Sequence, residues 1–168
     1  MIRKVKKIGD PVLRKRANKV DKITKDIHKL IDDMVETMHH HMGIGLAAPQ
    51  IGISQRIAVV ALEKREDVPG SGQLYTLINP EILKTSPEKS VEQEGCLSIP
   101  GWRGQVERPH KVIIKAMDRN GNRVKHEVEG WLARAMLHEI DHLEGVMYID
   151  KLIAPDKIWP VDEPELDE

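Results

Sequence analysis

Gly130-Trp131-Leu132-Ala133-Arg134-Ala135-Met136-Leu137-His138-Glu139-Ile140-Asp141-His142-Leu143-Glu144-Gly145 is the stretch on which the reading of this chain turns. Set at the helical angle, Leu132, Met136, Ile140 and Leu143, continued by Met147, make one apolar stripe. Trp131, Ala135, His138 and His142 make a second stripe beside it, with Glu139 between the two. So little polar surface is left that the spacing predicts an interior helix from Gly130 to about Glu144, stopped by Gly145. His138-Glu139-Ile140-Asp141-His142 is also an H-E-x-x-H pattern. Residues four apart stand one turn above each other, so both imidazoles can reach one divalent ion. The carboxylate between them can take a proton from water that the ion activates. The competing reading is a chance match, with each His bonded to a carbonyl; the apolar flanks of this helix weigh against it.

Working outward, Ile23, Ile27, Leu30, Ile31, Met34, Val35 and Met38 recur at helical spacing, opposite a face of Asp and Lys. They predict a second amphipathic helix, capped by Asp21 or Thr24 and ending near Gly43. Runs at 57–62, 74–78 and 111–117 read as strands. Asp118-Arg119-Asn120-Gly121 is a hairpin turn joining the last of these to a partner at about 123–128. Residues 9–14 read as a turn into a short stretch, and 66–72 as a surface loop. The prolines and acidic residues from Pro155 onward predict a loosely ordered tail. The expected fold class is α+β: short antiparallel strands around a central metal-binding helix, with a further amphipathic helix near the N-terminus. Residues 1–154 are expected to form a single catalytic domain and 155–168 the tail.

Composition narrows the function classes. The 168 residues carry Lys+Arg 26 against Asp+Glu 27, a net charge of -1, which gives no reason to expect a nucleic-acid footprint. Aromatics are 3% with no Phe, so the core must be aliphatic and filled with Met. The basic start, Met1-Ile2-Arg3-Lys4-Val5-Lys6-Lys7, has no apolar run behind it, and nothing approaches a membrane span. A cytoplasmic protein is expected. The single cysteine, Cys96, excludes an internal disulfide framework.

Two His ligands leave the third open. The metzincin protease pattern would place a His where Tyr148 stands, and a thermolysin-like protease would need a Glu further on, where only Asp162 and Glu163 are available. The remaining candidate is Cys96, in Glu94-Gly95-Cys96-Leu97-Ser98-Ile99-Pro100-Gly101, whose glycines allow close backbone approach. Its alternative is a buried structural thiol. A third segment, Gly43-Ile44-Gly45-Leu46-Ala47-Ala48-Pro49-Gln50, has glycines and small residues followed by an amide donor. Taken alone it is no more than a helix stop and a tight turn.

These three segments in this order resemble the motifs of the peptide deformylases, and the resemblance runs to about Leu152. It implies removal of the formyl group from N-formylmethionyl nascent chains. Cys96, His138 and His142 would hold the metal, with Glu139 passing the water's proton to the leaving amine. The amide of Gln50 and the backbone N–H of Leu97 would stabilise the oxyanion. Ile44, Gly45 and Gly95 would offer backbone groups to an extended peptide, and Arg103 would stand near the substrate mouth. One divalent ion per chain is implied. An N₂S site suits zinc or ferrous iron, and the resemblance favours Fe2+, with Zn2+, Ni2+ or Co2+ as substitutes. Arg134 occupies a position that is apolar in some relatives and would edge the methionine pocket. The implied partners are the formylated nascent peptides and, transiently, the ribosome, although the acidic tail disfavours docking on RNA. His39-His40-His41 reads as a solvated helix end. The alternatives are a small zinc peptidase of the H-E-x-x-H type, which needs a third His or Glu, and a binding module without turnover.

Overall fold

The computed structural model describes residues 1–163. Among them, in chain order, run α1 (Lys25–His40), β1 (Gly45–Ala47), β2 (Ile57–Ala61), β3 (Leu74–Thr85), β4 (Lys89–Cys96), β5 (Ile99–Pro109), β6 (Lys111–Met117), β7 (Arg123–Glu129), α2 (Gly130–Leu143) and β8 (Ile158–Pro160). The strands form two antiparallel sheets, β1-β2-β3-β6-β7 and β4-β5-β8. This is an α+β architecture.

Each helix covers its own part of the core. In α1, the Thr24 hydroxyl accepts from the Ile27 N–H at 3.3 Å, so Thr24 rather than Asp21 is the cap. Its apolar face, Ile27, Leu30, Ile31, Met34 and Met38, packs on Leu46, Ile57, Val59 and Ile78. α2 is buried nearly all round, as its two stripes predict. Leu132, Met136 and Ile140 meet Ala58, Val60, Leu77 and Ile114 of the larger sheet. The helix also touches β5 of the smaller sheet. A third cluster, Leu13, Ile99, Val106, Met147 and Tyr148, sits behind β5. Met34, Met38, Met136 and Met147 are all buried and fill space that Phe would otherwise take. Among the described residues no helix is long and apolar enough to cross a membrane.

Three features depart from the sequence reading. β3 continues through Asn79-Pro80 to Thr85, seven residues past the run read at 74–78. A register shift between Ile78 and Glu81 absorbs the proline, which has no N–H for the ladder. Asn79, with φ 50°, clamps the backbone of Val20 through hydrogen bonds of 2.9 and 2.8 Å. The long hairpin β4–β5 was not predicted. Its strands are charge-dense and much of β4 is exposed, so no apolar alternation announces them. The tail, expected loose from Pro155, instead supplies β8, which pairs with Trp102, Arg103 and Gly104 of β5. Residues 164–168 of that tail lie outside the described residues.

Candidate metal centre

The centre forms where the end of β4 meets one face of α2. β4 terminates at Cys96, and α2 offers His138 and, one turn later, His142. One donor atom from each of Cys96, His138 and His142 lies within 4.8 Å of the others. The Cys96 Sγ to His142 Nε2 distance is 3.3 Å. Two ligands on a tetrahedral zinc or iron, with metal–sulfur and metal–nitrogen bonds of about 2.3 and 2.0 Å, would stand about 3.5 Å apart. The three residues therefore fit an ion at their centre. Burial alone would push both imidazoles down; it does so for His142, whereas hydrogen bonds to Cys96 and Glu94 carry His138 well above its ordinary value.

The orientation of His138 is set from behind. Its Nδ1 lies 2.8 Å from Glu94 Oε1, which leaves Nε2 for an ion. Glu94 is itself gripped by two buried arginines: Arg108 donates to it at 2.6 and 2.9 Å, and Arg134 at 2.6 Å. Burial opposes ionisation of Glu94, but the bonds from Arg108 and His138 overcome it and hold the carboxyl well below the usual range. Arg108 also reaches Asp141 at 2.9 Å, tying the network to α2. Arg134 thus does more than edge the cleft: its guanidinium also holds the carbonyls of Val106 and Ser90, both at 2.9 Å. Glu94→Ala would leave buried Arg134 with no carboxylate, buried Arg108 with Asp141 alone, and His138 Nδ1 without its acceptor. The expected loss is about 3–5 kcal/mol of stability in urea unfolding, with faster metal release to a chelator.

Glu139 is buried, and burial pushes its carboxyl up to about 7, partly offset by His138 and Arg108. Its Oε2 finds no hydrogen-bond partner among the described residues. The carboxylate lies against Gly45, where any Cβ would come within 2.9 Å of it, which explains the glycine at that position. Gln50, in a short 3-10 turn after β1, is held by accepting from Ala47 N–H at 2.9 Å and donating to Ser98 Oγ at 3.2 Å. Its amide nitrogen is 3.5 Å from Cys96 Sγ, so it faces the centre. Leu97 follows Cys96 in the turn to β5.

A cleft of about 1030 Å³ opens onto these groups, lined by Ile44, Gly45 and Leu97 among others. Its walls include two strand edges, β1 and β4. The Ile44 carbonyl accepts from Ala61 N–H at 2.8 Å, so on this edge the outward backbone groups belong to Gly45. Arg103 lays its guanidinium over Gly95. Tyr148, in the place of a metzincin third His, stacks on His138 with ring centroids 6.2 Å apart. Glu163 is turned to Arg103 rather than to the centre. Among the described residues Glu163 is not grouped with Cys96, His138 and His142.

The family model for polypeptide deformylase matches residues 2–157. The chain belongs to the peptide deformylase family. It is 52% identical over 150 residues to a peptide deformylase of Halothermothrix orenii, covering 89% of this chain and 92% of that one. The crystal structure of the family member from Thermotoga maritima superposes with a TM-score of 0.85 at 43% identity, over 92% of this chain and 99% of that one. A class I type b deformylase of Acinetobacter baumannii with Met-Ala-Ser bound superposes with a TM-score of 0.85 at 35% identity, over 90% of this chain and 99% of that one.

The residues that sequence reasoning missed in this deformylase fold are Glu94 as the His138 partner, and Arg108. A signal existed for Glu94: two residues before Cys96 on a strand, it shares the side of Cys96. Without β4 recognised as a strand, that spacing carried no meaning. Arg108 has no local signal, because it is 14 residues from Glu94 and only the hairpin brings them together.

Proposed function

We propose that the family activity, hydrolytic removal of the formyl group from the N-terminal formylmethionine of newly made polypeptides, is performed here by residues of β4, α2 and the turn after β1. The observation that carries the assignment is the grouping of Cys96, His138 and His142, from two separate elements, beside a buried Glu139 carboxylate whose Oε2 has no hydrogen-bond partner among the described residues. On this reading α2 is the central metal-binding helix of a catalytic domain spanning 1–154. A divalent ion held there supplies Lewis acidity, polarising a carbonyl and acidifying water.

The chain's own groups do the rest. Glu139, in its ionised form, accepts the proton of the attacking water and later delivers it to the amine nitrogen, so that formate and a free N-terminus leave. Gln50 Nε2 and the Leu97 N–H stabilise the negative charge that develops on the formyl oxygen. Gly45 and Gly95, with Ile44 beside them, align the peptide as an added strand, and Arg103 stands at the outer end. The reading places the protein in the cytoplasm, meeting nascent chains and transiently the ribosome, with no nucleic-acid specificity of its own.

Hydrolysis of formyl-Met-Ala-Ser, with the unformylated peptide alongside, tests this activity. Release of formate only from the formylated peptide is the expected result; cleavage of the free-amine peptide would instead support a peptidase.

Fe2+ is the proposed native ion, with Zn2+, Ni2+ or Co2+ able to replace it. Ferrous iron and a ligating thiolate are both oxidisable. Protein prepared without oxygen should therefore lose activity in air or peroxide faster in its iron form than in its nickel form. Equal decay of the two would refute iron-centred lability.

A further inference from the structure

Residues 158–163, outside the family match, fold back onto the substrate cleft. β8 pairs with Trp102–Gly104, and the Val161 N–H donates to the Gly101 carbonyl at 2.9 Å, so the tail keeps strand-like contact with β5 as far as the cleft. Glu163 then turns inward. Its carboxylate accepts from the Gly101 N–H at 2.9 Å and forms an ion pair with Arg103. Arg103 also donates to the Trp102 carbonyl at 2.9 Å, which aims the guanidinium over Gly95.

A guanidinium and a backbone N–H converging on one carboxylate make a carboxylate receptor. Gly95 is the neighbour of Cys96, so a peptide anchored at the centre and running past Gly95 reaches Arg103 next. An extended tripeptide spans about 10 Å, enough to carry its terminal carboxylate, or an acidic third side chain, to that point.

Resting on the formyl-peptide reading above, we infer that Arg103 and the Gly101 N–H form a carboxylate subsite of the cleft, and that Glu163 fills it from within the chain as a tethered competitor. The tail thereby selects against substrates bearing a carboxylate at about the third position. The competition is mild, because the pair is partly exposed, with Arg103 at 33% and Glu163 at 29%. An ion pair of that kind biases occupancy by no more than about fivefold. Salt weakens it further.

The test compares formyl-Met-Ala-Ser with a free C-terminal carboxylate against the same peptide as its C-terminal amide. In Glu163→Gln, and in Glu163→Ala to remove the side chain's bulk as well, the acid-to-amide ratio of kcat/KM should rise about three- to fivefold, through KM of the acid peptide. The rise should shrink in 1 M salt. Combining either change with Arg103→Met should cancel it. An unchanged ratio, or an equal gain for both peptides, would overturn the tail's role while leaving the deformylase reading intact. No formate from either peptide in any variant would overturn that reading, and the proposal with it.

Discussion

Cys96→Ala should lose its stoichiometric metal and, with it, formyl-peptide hydrolysis. The thiol sits at the end of β4, 3.3 Å from His142 Nε2 and within donor distance of His138, and the Gln50 amide points at its sulfur. Losing an outer partner of a ligand typically costs about 10–100-fold in metal affinity, and losing one of three direct ligands should cost more. Alanine leaves the two imidazoles in place but removes the soft donor that suits iron and zinc. The fold should survive, because Cys96 is only partly buried and its core cluster is held by Leu13, Ile99, Val106 and Tyr148. Metal analysis of the purified variant gives the first reading. Cobalt-substituted wild type should in addition show a thiolate charge-transfer band that the variant lacks. Full occupancy and full activity in the variant would make Cys96 a structural thiol.

Glu139→Gln separates chemistry from metal holding. The carboxylate is buried, is packed on Gly45 and has an oxygen without a partner among the described residues. Glutamine has nearly the same shape, so the contact with Gly45 and the three ligands should remain. What disappears is the proton acceptor, and general-base catalysis is worth about 10²–10⁴-fold. The variant should therefore keep one metal per chain and a KM near that of wild type while kcat falls by at least that factor. The pH profile gives an independent check. Burial pushes Glu139 up to about 7, a nearby cation favours its ionised form, and only that form accepts a proton. The wild-type rate should thus fall about tenfold per pH unit below an apparent pKa under about 7, and the residual rate of the Gln variant should lack that limb. Near-normal deformylation by Glu139→Gln would reject the assigned role.

Much of this site was legible because its chemistry is local. His138, Glu139 and His142 lie within five residues on one helix, and helical periodicity places them relative to each other without any knowledge of the rest of the chain. The hairpin β6–β7, the amphipathic α1 and the methionine-filled core follow from equally short-range patterns of turn residues, spacing and composition. Cys96 could be nominated only by weighing it against Tyr148, Asp162 and Glu163, since the approach of β4 to α2 is a contact across 42–46 positions.

Local spacing is enough to put two imidazoles and a carboxylate on one interior helix, and to offer a lone thiol and a glycine-rich turn to join them. Only tertiary contacts bring β4 and β5 together, because their charged residues hide the alternation until Arg108 of β5, beside Arg134 of α2, is buried against Glu94. Pairing turns Glu94 from a surface acid into the group that orients His138. Tertiary structure decided too that β3 runs through Pro80 on a register shift, and that an acidic tail adds a strand to β5 and delivers Glu163 to Arg103. The physical reason is common to all three. A charged or proline-containing segment has no burial preference of its own, and backbone partners and counter-charges supplied from distant parts of the chain settle where it lies.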